Sequence, residues 1–133
     1  MFLAVSERRF VSTRDIEQDF RVSRDHLKKV IPELASAGWV VTKRGRNGGV
    51  RLNAETKDIR LSEVVEHFEP LEPLDCFSDG SEACPIAAGC ALKPAIWGAM
   101  RAYVNYLEQF TLADITENRC YLRSALSMPA MPQ

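Results

Sequence analysis

Apolar residues recur at helical spacing in several stretches of this chain and alternate with polar ones in one strand-like pair. Ile16 and Phe20 share a face of a short helix opened by Ser12-Thr13-Arg14-Asp15, a hydroxyl followed three residues later by a carboxylate. Arg21-Val22-Ser23 breaks that helix, and the Ser23 oxygen is placed to cap the next one. Leu27, Val30, Ile31 and Leu34 form the apolar stripe of this second helix, and Gly38 is its expected stop. Pro32 lies within the stripe and, lacking an N–H, predicts a kink or an early end. Phe2, Leu3 and Val5 read as the close of a helix that would normally begin earlier.

Trp39-Val40-Val41-Thr42 and Val50-Arg51-Leu52 then read as two strands, with Asn47-Gly48 as the hairpin signal between them. Ala54-Glu55-Thr56-Lys57 is a connector. Ser62 is expected to cap a short helix whose apolar set is Leu61, Val64, Val65 and Phe68, and Glu69-Pro70-Leu71-Glu72-Pro73 ends it. Ala91 to Ile115 reads as one long helix of about 36 Å, with Pro94 tolerated in its first turn. One stripe is Leu92, Ile96, Ala99, Tyr103, Tyr106 and Phe110; a second is Trp97, Met100, Val104 and Leu107. So small a domain cannot bury both. One stripe is expected on the chain's own core and the other on a twin, giving a symmetric homodimer. Met128-Pro-Ala-Met-Pro-Gln133 reads as a disordered tail.

Charge adds a direction to this pattern. The net charge of −1 divides into +5 over residues 1–52 and −6 over residues 53–133, so a polyanion partner suits the first half only. A short helix, a three-residue turn and a second helix with a polar N-terminal face is helix-turn-helix spacing. Arg24, His26, Lys28 and Lys29 occupy the early turns of that second helix. Lys43, Arg44, Arg46 and Arg51 crowd the hairpin, which makes it a wing suited to phosphates or the minor groove. The fold class is therefore mainly α with a small β-hairpin wing: a winged helix-turn-helix plus a long dimerisation helix. No apolar run approaches the roughly 18 to 20 residues of a membrane span. The start is also too short for a secretory signal, and a cytoplasmic location is expected.

Three of the four cysteines fall within fifteen positions, as Cys76-x7-Cys84-x5-Cys90. In a reducing compartment such a cluster points to metal ligands or redox thiols before disulfides. Cys120 stands apart and reads as an incidental thiol. The gaps are wider than the paired elements of a structural zinc site. They suit an iron–sulfur cluster, [2Fe–2S] or [4Fe–4S], held by soft thiolates on a loop. One coordination position is left over. Cys120, a carboxylate such as Asp75, Asp79 or Glu82, or a group from the partner subunit are its candidates. An oxygen ligand there would be labile and would leave an iron open to a small diatomic molecule.

These residues together resemble the winged-helix iron–sulfur regulators of bacteria, the Rrf2 family, over roughly residues 10–118. The resemblance rests on Val22-Ser23-Arg24-Asp25-His26-Leu27, on Ala37-Gly38-Trp39-Val40 and on Val41-Thr42-Lys43-Arg44-Gly45-Arg46-Asn47-Gly48-Gly49-Val50-Arg51-Leu52. Glu69-Pro70-Leu71, the three cysteines, Cys90-Ala91-Leu92-Lys93 and Phe110-Thr111-Leu112-Ala113-Asp114-Ile115 continue it. It implies that Cys76, Cys84 and Cys90 are cluster ligands. It likewise implies that Arg24, His26, Lys28 and Lys29 face the major groove, and that Arg44, Arg46 and Arg51 belong to the wing. One branch of the family places a histidine ligand three residues after the last cysteine. Lys93 stands there in this chain, which favours the nitric-oxide-sensing repressor branch. Two departures accompany the match. The gap between the first two cysteines is longer than the family's, and the family begins with a further stretch forming its first helix. In the nitric-oxide-sensing branch an aspartate of that stretch completes the cluster across the dimer; the expectation is that the start at Met1-Phe2-Leu3 is misplaced.

The expected organisation is a winged helix-turn-helix domain over residues 1–53, a connector and short helix over 54–75 and a cysteine loop over 76–90. A dimerisation helix over 91–118 and a tail over 119–133 complete it. The expected function is a DNA-binding transcriptional repressor, reading a double-stranded operator as a homodimer and sensing nitric oxide or redox state through an iron–sulfur cluster. The rival readings are a winged-helix regulator with a thiol–disulfide or zinc switch, and a protein-interaction module or thiol enzyme. No Cys/His/Asp arrangement with catalytic spacing is present, so an enzyme is not expected.

Overall fold

Ser12 and Ser23 each start a helix, for the same reason. The Ser12 Oγ accepts the Asp15 N–H at 3.2 Å and the Ser23 Oγ accepts the His26 N–H at 3.1 Å, satisfying donors that a helix start leaves unpaired. The computed structural model describes residues 1–6, 9–45, 48–69, 85, 86 and 89–126. It divides into two units, one of Met1–Ile59 with Thr111–Gln133 and the other of Arg60–Phe110.

In the first unit α1 spans Phe2–Val5, α2 Thr13–Phe20 and α3 Arg24–Ser36. Arg21, in the turn between α2 and α3, adopts a left-handed φ of 52°, at a cost of about 1 to 2 kcal/mol. The early end expected at Pro32 does not occur: α3 runs through it to Ser36. Leu27 before the proline is buried and Leu34 after it half-buried, so packing on both sides holds the helix together. Gly38 ends α3 with φ 78°. The Gly38 N–H reaches the Ala35 carbonyl at 3.0 Å and the Trp39 N–H reaches that of Leu34 at 3.1 Å, the paired bonds of a glycine-terminated helix.

Strands β1 (Val40–Lys43) and β2 (Gly49–Leu52) pair antiparallel, with Val40 opposite Leu52 and Lys43 opposite Gly49. Alternation turns Val40, Val50 and Leu52 into the core. Asn47 of the expected turn lies outside the described residues, while the Gly48 N–H donates to the Gly45 carbonyl at 2.9 Å. Val11 adds an isolated bridge on the far edge of β2, exchanging backbone bonds with Val50 at 2.9 and 2.8 Å. Gly49 makes this approach possible. Its φ is 152°, and a side chain there would collide with the Val11 carbonyl.

Part of the segment expected as a tail is a helix, α6, over Arg119–Ala125. Asn118 caps it by accepting the Tyr121 N–H at 3.2 Å. Arg119 and Arg123 donate to the Ala4 and Val5 carbonyls, each at 2.7 Å. Those carbonyls belong to the last turn of α1, where a cation is favoured. Residues 127–133 lie outside the described part. The buried apolar residues Phe2, Ala4, Val5, Val11, Leu27, Val40, Val50, Leu52 and Ile59 all belong to this unit.

In the second unit α4 (Leu61–Phe68) packs against α5 (Leu92–Leu107). Ser62 does not cap α4 as expected. Arg60 holds the cap position without a side-chain capping bond, and Ser62 is buried within the helix. The run from Ala91 to Ile115 is not one helix either. α5 is 16 residues long, about 24 Å. Beyond its end the Glu108 carbonyl accepts from Arg60 at 3.0 Å and the Phe110 carbonyl from the Leu61 N–H at 3.0 Å. α5 buries none of its residues: Trp97, Tyr103 and Tyr106 are 46%, 48% and 61% exposed.

Candidate nucleic-acid interface and thiol site

The cap on Ser23 fixes the first turn of α3, and with it the direction of the side chains predicted to read DNA. Arg24, His26, Lys28 and Lys29 are all exposed on its first two turns. Arg24 and Lys28 stand one turn apart on the same face. Together with Thr13, Leu27, Ile31 and Pro32 they line an open concavity of about 550 Å³. The Arg24 Nε lies 3.5 Å from the Glu17 carboxylate and the Lys28 Nζ 2.8 Å from that of Asp25. The hydrogen bond and charge of Lys28 hold the Asp25 carboxyl below its ordinary range. Both pairs are solvent-exposed, and water and salt screen such pairs strongly. The carboxylates therefore orient the two cations while leaving them available to phosphate at little cost.

On the hairpin, Lys43 and Arg44 are exposed and Arg51 is half-buried, its Nη1 donating to the Leu52 carbonyl at 3.1 Å. Arg46 lies outside the described residues. Sequence reasoning overlooked Phe10, whose ring centroid is 5.9 Å from Lys43 Nζ and 5.2 Å from Arg51 Cζ. The available signal was the apolar Phe10-Val11 pair directly ahead of the Ser12 cap.

Of the three clustered cysteines, Cys76 and Cys84 lie outside the described residues, as do Asp75, Asp79 and Glu82. Cys90 is a free, half-buried thiol immediately before the α5 cap residue Ala91. A thiol so placed is a soft donor of the kind a metal can take. Cys120 is free and exposed on α6, in the other unit. Among the described residues no three His, Cys, Asp or Glu side chains converge on a metal site. No described helix is long and apolar enough to cross a membrane.

The family model of Rrf2, iron-dependent transcriptional regulators, matches residues 1–118. The chain is 38% identical over 129 residues to the HTH-type transcriptional regulator NsrR of Bacillus licheniformis, covering 96% of this chain and 90% of that protein. In fold it is similar to CymR, the global cysteine regulator of B. subtilis (TM-score 0.64, 24% identity, 88% of this chain and 86% of that one). It is likewise similar to T. potens IscR (TM-score 0.62, 20% identity, 98% and 87%). Helix-turn-helix, wing and family match converge on one statement: the chain belongs to the Rrf2 family and is a DNA-binding transcriptional regulator, not an enzyme.

Proposed function

We propose that the chain is a cytoplasmic repressor that binds a palindromic operator as a homodimer and releases it in response to nitric oxide or a change of redox state. Arg24, His26, Lys28 and Lys29 read the major groove, and Arg44, Arg46 and Arg51 hold the wing to phosphates or the minor groove. A second copy covers the exposed stripe of α5, which sets two reading heads about 34 Å apart on successive major grooves. Cys76, Cys84 and Cys90 hold an iron–sulfur cluster, [2Fe–2S] or [4Fe–4S]. When bound, that group supplies iron chemistry toward small diatomic molecules, which thiols alone do not. What supports this reading most is the 38% identity to NsrR over nearly the whole chain, the nitric-oxide-sensing branch that Lys93 already favoured.

Iron and acid-labile sulfide, measured on anaerobically purified protein and on Cys84→Ala and Cys90→Ser variants, test the cofactor. Stoichiometric iron and sulfide in the native chain, lost in both variants with the fold retained by circular dichroism, is the expected result. Zinc without sulfide favours the zinc switch; no metal at all favours a thiol switch.

A further inference from the structure

The Arg9-Phe10-Val11 segment precedes the helix-turn-helix, yet its residues bind the hairpin in two ways. Val11 pairs its backbone with Val50 of β2. Phe10 places its ring against the cations of both strands, Lys43 of β1 and Arg51 of β2. In the strand register Lys43 is opposite Gly49 and Arg51 opposite Val41, so the two cations project from the face of the hairpin turned away from the core. Gly49 lies on that face too, and its missing side chain admits the Val11 carbonyl and hence the adjoining Phe10. Phe10 is 36% exposed, so it stands open to solvent beside the two cations rather than in the core.

We propose that Phe10 is a positioning residue for the wing: its ring gathers Lys43 and Arg51 and fixes the direction in which they meet DNA phosphates. The aromatic face attracts both cations within the roughly 6 Å over which such contacts act. It also removes rotamer freedom from two long side chains before DNA arrives, lowering the ordering cost of binding. This inference rests on reading the hairpin as a DNA-contacting wing.

The test uses the full chain and a fluorescein-labelled duplex selected from a random pool by the wild-type protein. Anisotropy titrations over a range of salt compare wild type, Phe10→Leu, Phe10→Tyr, the Lys43→Ala/Arg51→Ala double variant, and that double variant carrying Phe10→Leu. Leucine keeps an apolar side chain and removes the ring face; tyrosine keeps the ring. Phe10→Leu is expected to weaken binding about three- to tenfold and to lower the salt slope by about one. Phe10→Tyr should retain both, and Phe10→Leu should add nothing to the double variant. Wild-type binding by Phe10→Leu, an equal loss in both backgrounds, or a loss shared by Phe10→Tyr overturns the inference. If the double variant itself keeps wild-type affinity and salt slope, the wing reading fails and takes the inference with it. Thermal melts of each variant separate these effects from unfolding.

Discussion

Replacing Ser23 with alanine removes a single acceptor, and the consequences can be followed from helix end to DNA. The Ser23 Oγ takes the His26 N–H at 3.1 Å, a bond that alanine cannot make. Losing such a cap costs about 1 kcal/mol. That corresponds to a fall in melting temperature of about 3 to 6 °C, the larger figure applying if the first unit melts alone. Leu27 is the one buried residue of α3 and sits a turn further on, so the loss falls on the turn that carries Arg24 and His26. DNA affinity should drop about fivefold, the equilibrium equivalent of that energy. Two companion variants separate capping from charge. Ser23→Asn caps without charge and should restore both stability and affinity. Ser23→Asp should restore stability alone, because its carboxylate stands beside Arg24 and repels phosphate. Thermal melts and anisotropy titrations on all three variants provide the check. An unchanged melting temperature for Ser23→Ala, or no rescue by Asn, would refute the reasoning.

Gly49→Ala forces a side chain into the Val11 carbonyl at φ 152° and should destabilise the first unit by more than about 1 kcal/mol in urea titrations; native stability would contradict that. The Asp114 carboxylate accepts the Thr111 Oγ–H at 2.7 Å and the Thr111 N–H at 2.6 Å, which holds its pKa below the ordinary value. A depressed folded-state pKa adds stability above the unfolded-state value and loses it as pH falls through the folded one. Asp114→Asn should therefore melt below wild type at neutral pH and converge with it in acid, and a constant difference across pH would count against these bonds. Tyr103 is 48% exposed on α5, so Tyr103→Glu should leave each chain folded but halve the mass seen by light scattering if α5 forms the dimer. An unchanged mass would place the interface elsewhere.

Three local signals in this sequence were read correctly, each where a single residue sets the geometry, whereas Ser62, expected to cap α4, lies buried inside it. Ser12 and Ser23 cap, and Gly38 stops α3, because each acts on backbone groups within a few positions. Reading failed where distant residues decide. Nothing between Leu107 and Ile115 marks a helix end as Gly38 does; the stop involves Arg60 and Leu61, 48 or more positions away, which take up the carbonyls beyond it. α6 was missed because Asn118 is a weak start signal and its packing depends on Arg119 and Arg123 reaching α1 at the opposite end of the chain. Pro32 does not end α3 early, since burial of Leu27 and partial burial of Leu34 outweigh one lost hydrogen bond. At the interface the cations were legible from composition and spacing. Phe10 was not, because its contacts with Lys43 and Arg51 exist only once Val11 has paired with β2.

The most direct test of the regulator reading is operator binding with and without signal on one anaerobic sample. Protein whose iron and acid-labile sulfide have been quantified is titrated against the selected duplex before and after nitric oxide addition. Tight, salt-sensitive binding that is lost on exposure, in a chain whose Cys84→Ala variant no longer responds, is the expected result. Binding of equal strength before and after exposure, with iron and sulfide present at the outset, would contradict it.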